Sequence, residues 1–132
     1  MNTPEFHETV KAFGKAADAI ESARYNLKGN FLIAVANRSY YACYYCLTGL
    51  LYTQNIYAKT HQGTRAKFFE LFIKPSLFPI EISKSINTLF DFRQHADYDL
   101  DAEVTHKDAE MLIEKAEELY RLSKAYFEQN FK

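Results

Sequence analysis

The chain has 132 residues, with 16 basic and 17 acidic side chains and a formal net charge of -1. That length fits one domain with a substantial core. The balanced charge excludes a global field that would draw in nucleic acid or an anionic membrane, so any such contact has to come from a local patch. The N-terminal MNTPEFHETVKAFGKA has no basic segment followed by an apolar one. No secretory signal is therefore expected, and the cytoplasm is the expected location.

Thr3 before Pro4 is a favourable helix opening, with threonine as cap and proline at the first helical position. Phe6, Val10, Phe13, Ala17, Ile20 and Leu27 then recur at helical spacings and predict an amphipathic first helix. Lys28 and Gly29 are expected to end it, with glycine in the left-handed cap. Asn30 is expected to cap the next helix, so the two should form an antiparallel hairpin.

Residues 30–57 form the central stretch, with six tyrosines, two cysteines and Arg38 as the one charged side chain. No proline interrupts it, which allows a helix of up to about seven turns. Setting Arg38 to zero and stepping 100° per residue puts Ala34, Tyr41, Ala42, Tyr45 and Tyr52 on the arginine side. Leu32, Ala36, Tyr40, Cys43, Leu47, Leu50 and Leu51 fall on the other, which reads as ordinary core. The stretch is long enough to span a bilayer. Asn37, Arg38 and Ser39 lie well inside it, however, and an arginine near a helix centre costs roughly 3 kcal/mol to insert. A central soluble helix is the better reading. Cys43 and Cys46 spell CxxC mid-helix with no second pair, so they read as buried free thiols rather than a zinc or redox site.

Thr60 and Gly63 mark a bend, after which a short helix is expected over residues 63–73. Residues 75–79 form a proline-bounded loop, and Pro79 is placed to open the next helix. There Ile82, Ile86, Leu89 and Phe90 make the apolar stripe. Arg93 falls on the same stripe, about 20° from Ile86 and 40° from Leu89, with Asp97 one turn on and His95 on the opposite side. Residues 99–104 read as an acidic loop. Thr105 and Asp108 then resemble a capping box, and Ala109, Leu112, Ile113, Ala116, Leu119, Tyr120 and Phe127 line a last helix. A Glu117–Arg121 pair is expected across one of its turns. The fold class predicted is all-α, an antiparallel bundle of about five helices in a single domain.

A guanidinium on an apolar stripe needs a partner, because burying it alone is prohibitively costly. Arg93 is therefore read either as an internal pair with Asp97 or as a phosphate or nucleotide contact in a cleft. Tyr98 could stack on a base. Arg38 poses the same choice, facing either an acid on another helix or a cleft shared with Arg93. His61, flanked by Lys59 and Arg65 at a helix opening, is read either as a small anion site or as a solvent-facing capping residue. His7 and His106 should be solvated. The histidine spacing supports no metal site, and no cofactor motif, GxSxG or HExxH is found.

Three strings together carry a resemblance: ANRSYYA at residues 36–42, THQG at 60–63 and RQHADY at 93–98. In that order they are similar to the HEPN family (higher eukaryotes and prokaryotes nucleotide-binding), in its branch of small stand-alone prokaryotic proteins. The resemblance implies an α-helical bundle, a homodimer and association with a minimal nucleotidyltransferase. It also implies, for several members, a metal-independent endoribonuclease using an arginine followed after four to six residues by a histidine. Arg93 takes the arginine position, but Tyr98, Asp99 and Leu100 occupy the places for histidine. A tyrosine near pKa 10 is a poor general acid or base at neutral pH. The expectation is a non-catalytic HEPN protein binding a nucleotide, RNA or a nucleotidyltransferase partner, within a toxin–antitoxin or defence system. The alternatives are a dimeric endoribonuclease toxin using Arg93 and Tyr98, and a structural dimerisation scaffold.

Overall fold

In the computed structural model, which describes residues 3–131, helix α1 (Pro4–Lys28) and helix α2 (Leu32–Tyr52) pack along each other as an antiparallel hairpin. Helix α3 (His61–Phe68) runs into a π-helical turn (Phe69–Ile73), and α4 (Ile80–Tyr98) and α5 (His106–Phe131) close the bundle. Helix α2 is the shared element, touching α1, α3, α4 and α5. Among the described residues no helix is long and apolar enough to cross a membrane.

The first helix opens as its sequence implies, with Thr3 Oγ1 accepting from Phe6 N at 3.1 Å. Its close differs. Asn30, not Gly29, takes the left-handed conformation, at φ 63°. Phe31 N then donates to Asn26 O at 2.8 Å and Asn30 N to Leu27 O at 3.0 Å, the two bonds of a Schellman motif. Asn30 therefore ends α1 rather than capping α2, which starts at Leu32 without a side-chain cap. The central helix also ends five residues short of Tyr57, because Asn55 at φ 60° closes a second such motif, with Ile56 N bonded to Leu51 O at 3.0 Å. Val10, expected on the buried stripe, is 47% exposed.

Close approach of α1 and α2 rests on Gly49. A Cβ there would lie 2.7 Å from the Phe13 ring, and Thr9 Oγ1 donates to Gly49 O at 3.0 Å across the same contact. The main core runs from Phe13 through Leu47, Leu50 and Leu51 to Phe68, Phe72, Leu89, Leu112 and Phe127. Cys43 and Cys46 lie within it as free thiols, and burial pushes both up, Cys46 to about 12. Neither is available as a thiolate.

The segment expected as a plain short helix changes to π geometry at Phe69. A regular α-helix would turn Ile73 about 140° away from Phe68. The extra residue per turn lets Phe68, Phe72 and Ile73 all face inward, and all three are buried. Phe78, from the proline-bounded loop, fills the space beneath and anchors through its N–H to Phe72 O at 2.9 Å. Pro79 caps α4, so Ile80 is its first residue. The capping box at α5 forms in both directions, at 3.0 and 3.2 Å. Glu117 does not pair with Arg121. It meets Arg24 of α1, which tertiary packing brings alongside, and Arg121 reaches Glu118 at 3.9 Å.

Candidate functional site: an arginine–tyrosine cluster on helix α2

The last turns of α4 lie against the first turns of α2, and α3 begins beside the same surface. Arg93, Asp97, Tyr98, Arg38 and His61 all meet there. The Arg93 side chain is 15% exposed and its Nε lies 2.9 Å from Asp97 Oδ2, one turn on. That N–H makes no hydrogen bond, so the pairing is chiefly Coulombic. The guanidinium carbon is 5.5 Å from the ring centroids of Tyr40, Tyr41 and Tyr98, and Nη2 donates to the Tyr41 hydroxyl at 3.3 Å. Contacts of this kind contribute about 0.5–2 kcal/mol each, depending on desolvation. Arg93 is thus held inward by one carboxylate and three aromatic faces.

Asn37 connects this cluster to Arg38. Its Nδ2 donates to Asp97 Oδ2 at 3.2 Å, and its Oδ1 accepts from Arg38 Nε at 3.1 Å. The Arg38 guanidinium lies 5.3 Å from the Tyr41 centroid, so both arginines share that ring. Among the described residues Arg38 has no carboxylate partner. An open groove of about 640 Å³ borders it, lined by Phe31, Ile33, Asn37 and Asp97 among others.

His61 is the first residue of α3, whose start is capped by Thr60 Oγ1 accepting from Gly63 N at 2.9 Å. The ring is part-buried. It stacks on Tyr44 at 4.0 Å between centroids and 16° between planes, and Nδ1 lies 2.9 Å from the Tyr40 hydroxyl. Burial, then Arg93, then Arg65 hold its pKa below the ordinary value. It is neutral at pH 7. Burial, with a smaller push from Cys43, raises the Tyr40 phenol to about 12, partly offset by Arg65 and Arg93. A phenol that keeps its proton is a donor, so we assign its hydrogen bond to Nδ1, which leaves the proton of neutral His61 on Nε2. Arg65 completes the surroundings, with its guanidinium 3.8 Å from the Phe90 centroid and an enclosed Nε that finds no hydrogen-bond partner among the described residues.

The sequence singles out five of these side chains and places Arg65 only as a flank of His61; it gives no sign of Asn37 and Tyr40 as members of the cluster. Asn37 stood in the ANRSYYA string beside Arg38. Tyr40 falls on the side that reads as ordinary core, and its ring is indeed buried; the ring still meets Arg93, and the hydroxyl reaches His61. His95 and His106 lie exposed, near Asp99 and Glu110 respectively. Among the described residues no group of three or more His, Cys, Asp or Glu side chains converges as a metal site would require.

Comparison with known proteins agrees with this architecture. A protein of Methanocaldococcus jannaschii, whose name marks it as a candidate toxin, is 32% identical over 119 residues, covering 90% of this chain and 81% of the relative. A UPF0332 protein of Thermotoga maritima is 30% identical over 103 residues, 78% of each chain. A UPF0332 protein of Gloeobacter violaceus is 25% identical over 128 residues, 96% of this chain and 99% of its own. The family model described as the HEPN domain matches residues 10–126. With a helical bundle built around the ANRSYYA helix and the RQHADY turn, the chain belongs to the HEPN domain family.

Proposed function

We propose that this toxin-like HEPN protein binds RNA through a backbone phosphate held at the Arg38–Arg93 cluster. One observation carries this reading. Two guanidiniums sit on a single tyrosine, Tyr41, with one carboxylate, Asp97, between them and a neutral histidine alongside. The local charge is therefore positive on a chain of net charge -1, which is what recognition of an anion requires. Tyr98, 72% exposed beside Arg93, offers a ring for an unpaired base. His61, with its proton on Nε2, is a hydrogen-bond donor to phosphate rather than a base, which supports binding without cleavage.

Fluorescence anisotropy with a labelled, unstructured RNA tests this. Arg38→Ala should weaken binding roughly tenfold or more, as expected for loss of a charge-assisted contact, while leaving the melting temperature nearly unchanged. If Arg38→Ala binds as wild type does, the phosphate site is not there.

A second reading has its own observation. Helix α3 brings His61 against Tyr41, the ring that Arg93 also meets, so a histidine from outside the RQHADY string stands near the arginine although none occupies the expected spacing. Metal-free cleavage of RNA by wild type, lost in His61→Ala with affinity kept, would establish endoribonuclease activity. The proposal also includes a homodimer, supported by exposed Phe31 and Ile33 at the groove mouth, and a minimal nucleotidyltransferase as the neutralising partner. Light scattering and co-purification from native cells check these two associations.

A further inference from the structure

The side chains at 38, 41, 45, 48 and 52 recur at helical spacing, so they form one stripe along α2. It begins at Arg38 and ends at Tyr52, a span of ~21 Å. The rings along it, with Tyr44 and Tyr57 beside them, fall in two groups separated by Thr48. Tyr41 lies 6.1 Å from Tyr45 and 6.3 Å from Tyr44, which in turn lie 6.0 Å from each other; at the far end Tyr52 meets Tyr57 at 4.8 Å. Beyond Tyr44 a second groove, of about 300 Å³, opens between α1 and α2. Lys15 stands on its wall with its ammonium 5.6 Å from the Tyr45 centroid. Glu8, also on the wall, is occupied by Lys11 at 3.5 Å, whereas Lys15 has no carboxylate partner among the described residues. Thr48 borders the same groove, with its Oγ1 enclosed and without a hydrogen-bond partner among the described residues.

We infer that the outer face of α2 is a track for single-stranded RNA, running from the Arg38–Arg93 cluster to the Lys15–Tyr45 groove. The inference rests on the phosphate site proposed above and extends it in length and strandedness. Phosphates meet cations at Arg38 and Lys15, and the bases stack on Tyr41 and Tyr45, Tyr44 being covered by His61. Every base has a π-face, so such a track is tolerant of sequence. A duplex hides those faces, and a chain without net positive charge has no field to hold a duplex by its phosphates alone. From Arg38 to the far wall of the groove at Tyr52, the span suits ~4 nucleotides, the low end of known single-strand site sizes.

The test compares a labelled dinucleotide, an unstructured RNA octamer and a blunt RNA duplex by anisotropy. The octamer should bind at least about tenfold more tightly than the dinucleotide, and the duplex no more tightly than the dinucleotide. Lys15→Glu, at an exposed position, should remove that gain and leave dinucleotide affinity unchanged. Tyr45→Leu, which keeps apolar volume and removes the ring, should do the same, with circular dichroism showing that the fold is retained. Equal affinity for dinucleotide and octamer, octamer binding unaffected by Lys15→Glu, or a duplex bound as well as the octamer would each overturn the track. In those cases an effect of Arg38→Ala on the dinucleotide leaves the phosphate site standing. Failure of wild type to bind any of the three overturns both.

Discussion

His61 is where charge, burial and hydrogen bonding meet most directly. Burial and the two arginines hold the folded ring below its ordinary 6.5. As pH falls through 6.5, the unfolded chain takes up a proton that the folded ring still refuses, so the folded state loses stability in that window. Above 6.5 the ring is neutral in both states and contributes no pH dependence. Thermal unfolding followed from about pH 7.5 to about pH 5.5 should therefore show a fall in melting temperature that is shallower in His61→Asn. Identical slopes in the two proteins would mean that the ring titrates normally. Arg93 behaves differently under mutation. Removing it leaves Asp97 half-buried with only Asn37 as a partner, so Arg93→Ala should cost roughly 1–3 kcal/mol of stability besides any effect on ligands. Chemical denaturation measures that cost. Arg38, which has no acid to orphan, is for this reason the cleaner probe of binding.

At the scale of elements, side-chain periodicity located α1, α4 and α5 because each presents one apolar stripe to one neighbourhood. It could not locate the ends of α2. Those are set by Asn30 and Asn55 in left-handed conformations, and nothing in the local pattern separates an asparagine that starts a helix from one that ends its predecessor. The π turn was equally hidden, since the inward rotation of Ile73 follows from where Phe78 and α4 lie, not from residues 69–73 themselves. The Arg93–Asp97 contact was legible because both partners lie on one helix. Asn37 and Tyr40 enter the cluster from α2 and Arg65 from α3, and spacing within α4 carries no signal of that. Gly49 makes an element-scale prediction. A methyl group there meets the Phe13 ring at 2.7 Å in the tightest part of the α1–α2 contact. Gly49→Ala should destabilise the protein by about 1–3 kcal/mol despite the better helix propensity of alanine. A melting temperature equal to or above wild type would show that the ring yields freely.

Over the whole molecule, 16 basic and 17 acidic residues nearly cancel, yet they are not evenly placed. Arg38, Arg65 and Arg93 gather around the tyrosines, while Asp91, Asp99, Asp101 and Glu103 line a separate pocket at the α4–α5 loop. Charge separation of this kind lets a neutral chain orient an anion without attracting polyanions at large. The affinity for single-stranded RNA should accordingly fall with salt at a shallow slope, about -0.7 per phosphate contacted, or about -2 for three contacts. Arg38→Ala should reduce the slope by about one contact. A slope as steep as that of proteins with basic surfaces would point to a different and more extended binding face.

The chain has ten tyrosines and no tryptophan, and several of those phenols crowd around Arg93, His61 and Lys15. Its native ultraviolet emission therefore comes from tyrosine alone, and much of it from the neighbourhood of the proposed ligand. Rings this close exchange excitation, so an aromatic guest arriving beside one of them dims the group. The unlabelled protein carries its own optical gauge of occupancy, and titrating it with a candidate ligand needs no dye and no engineered reporter.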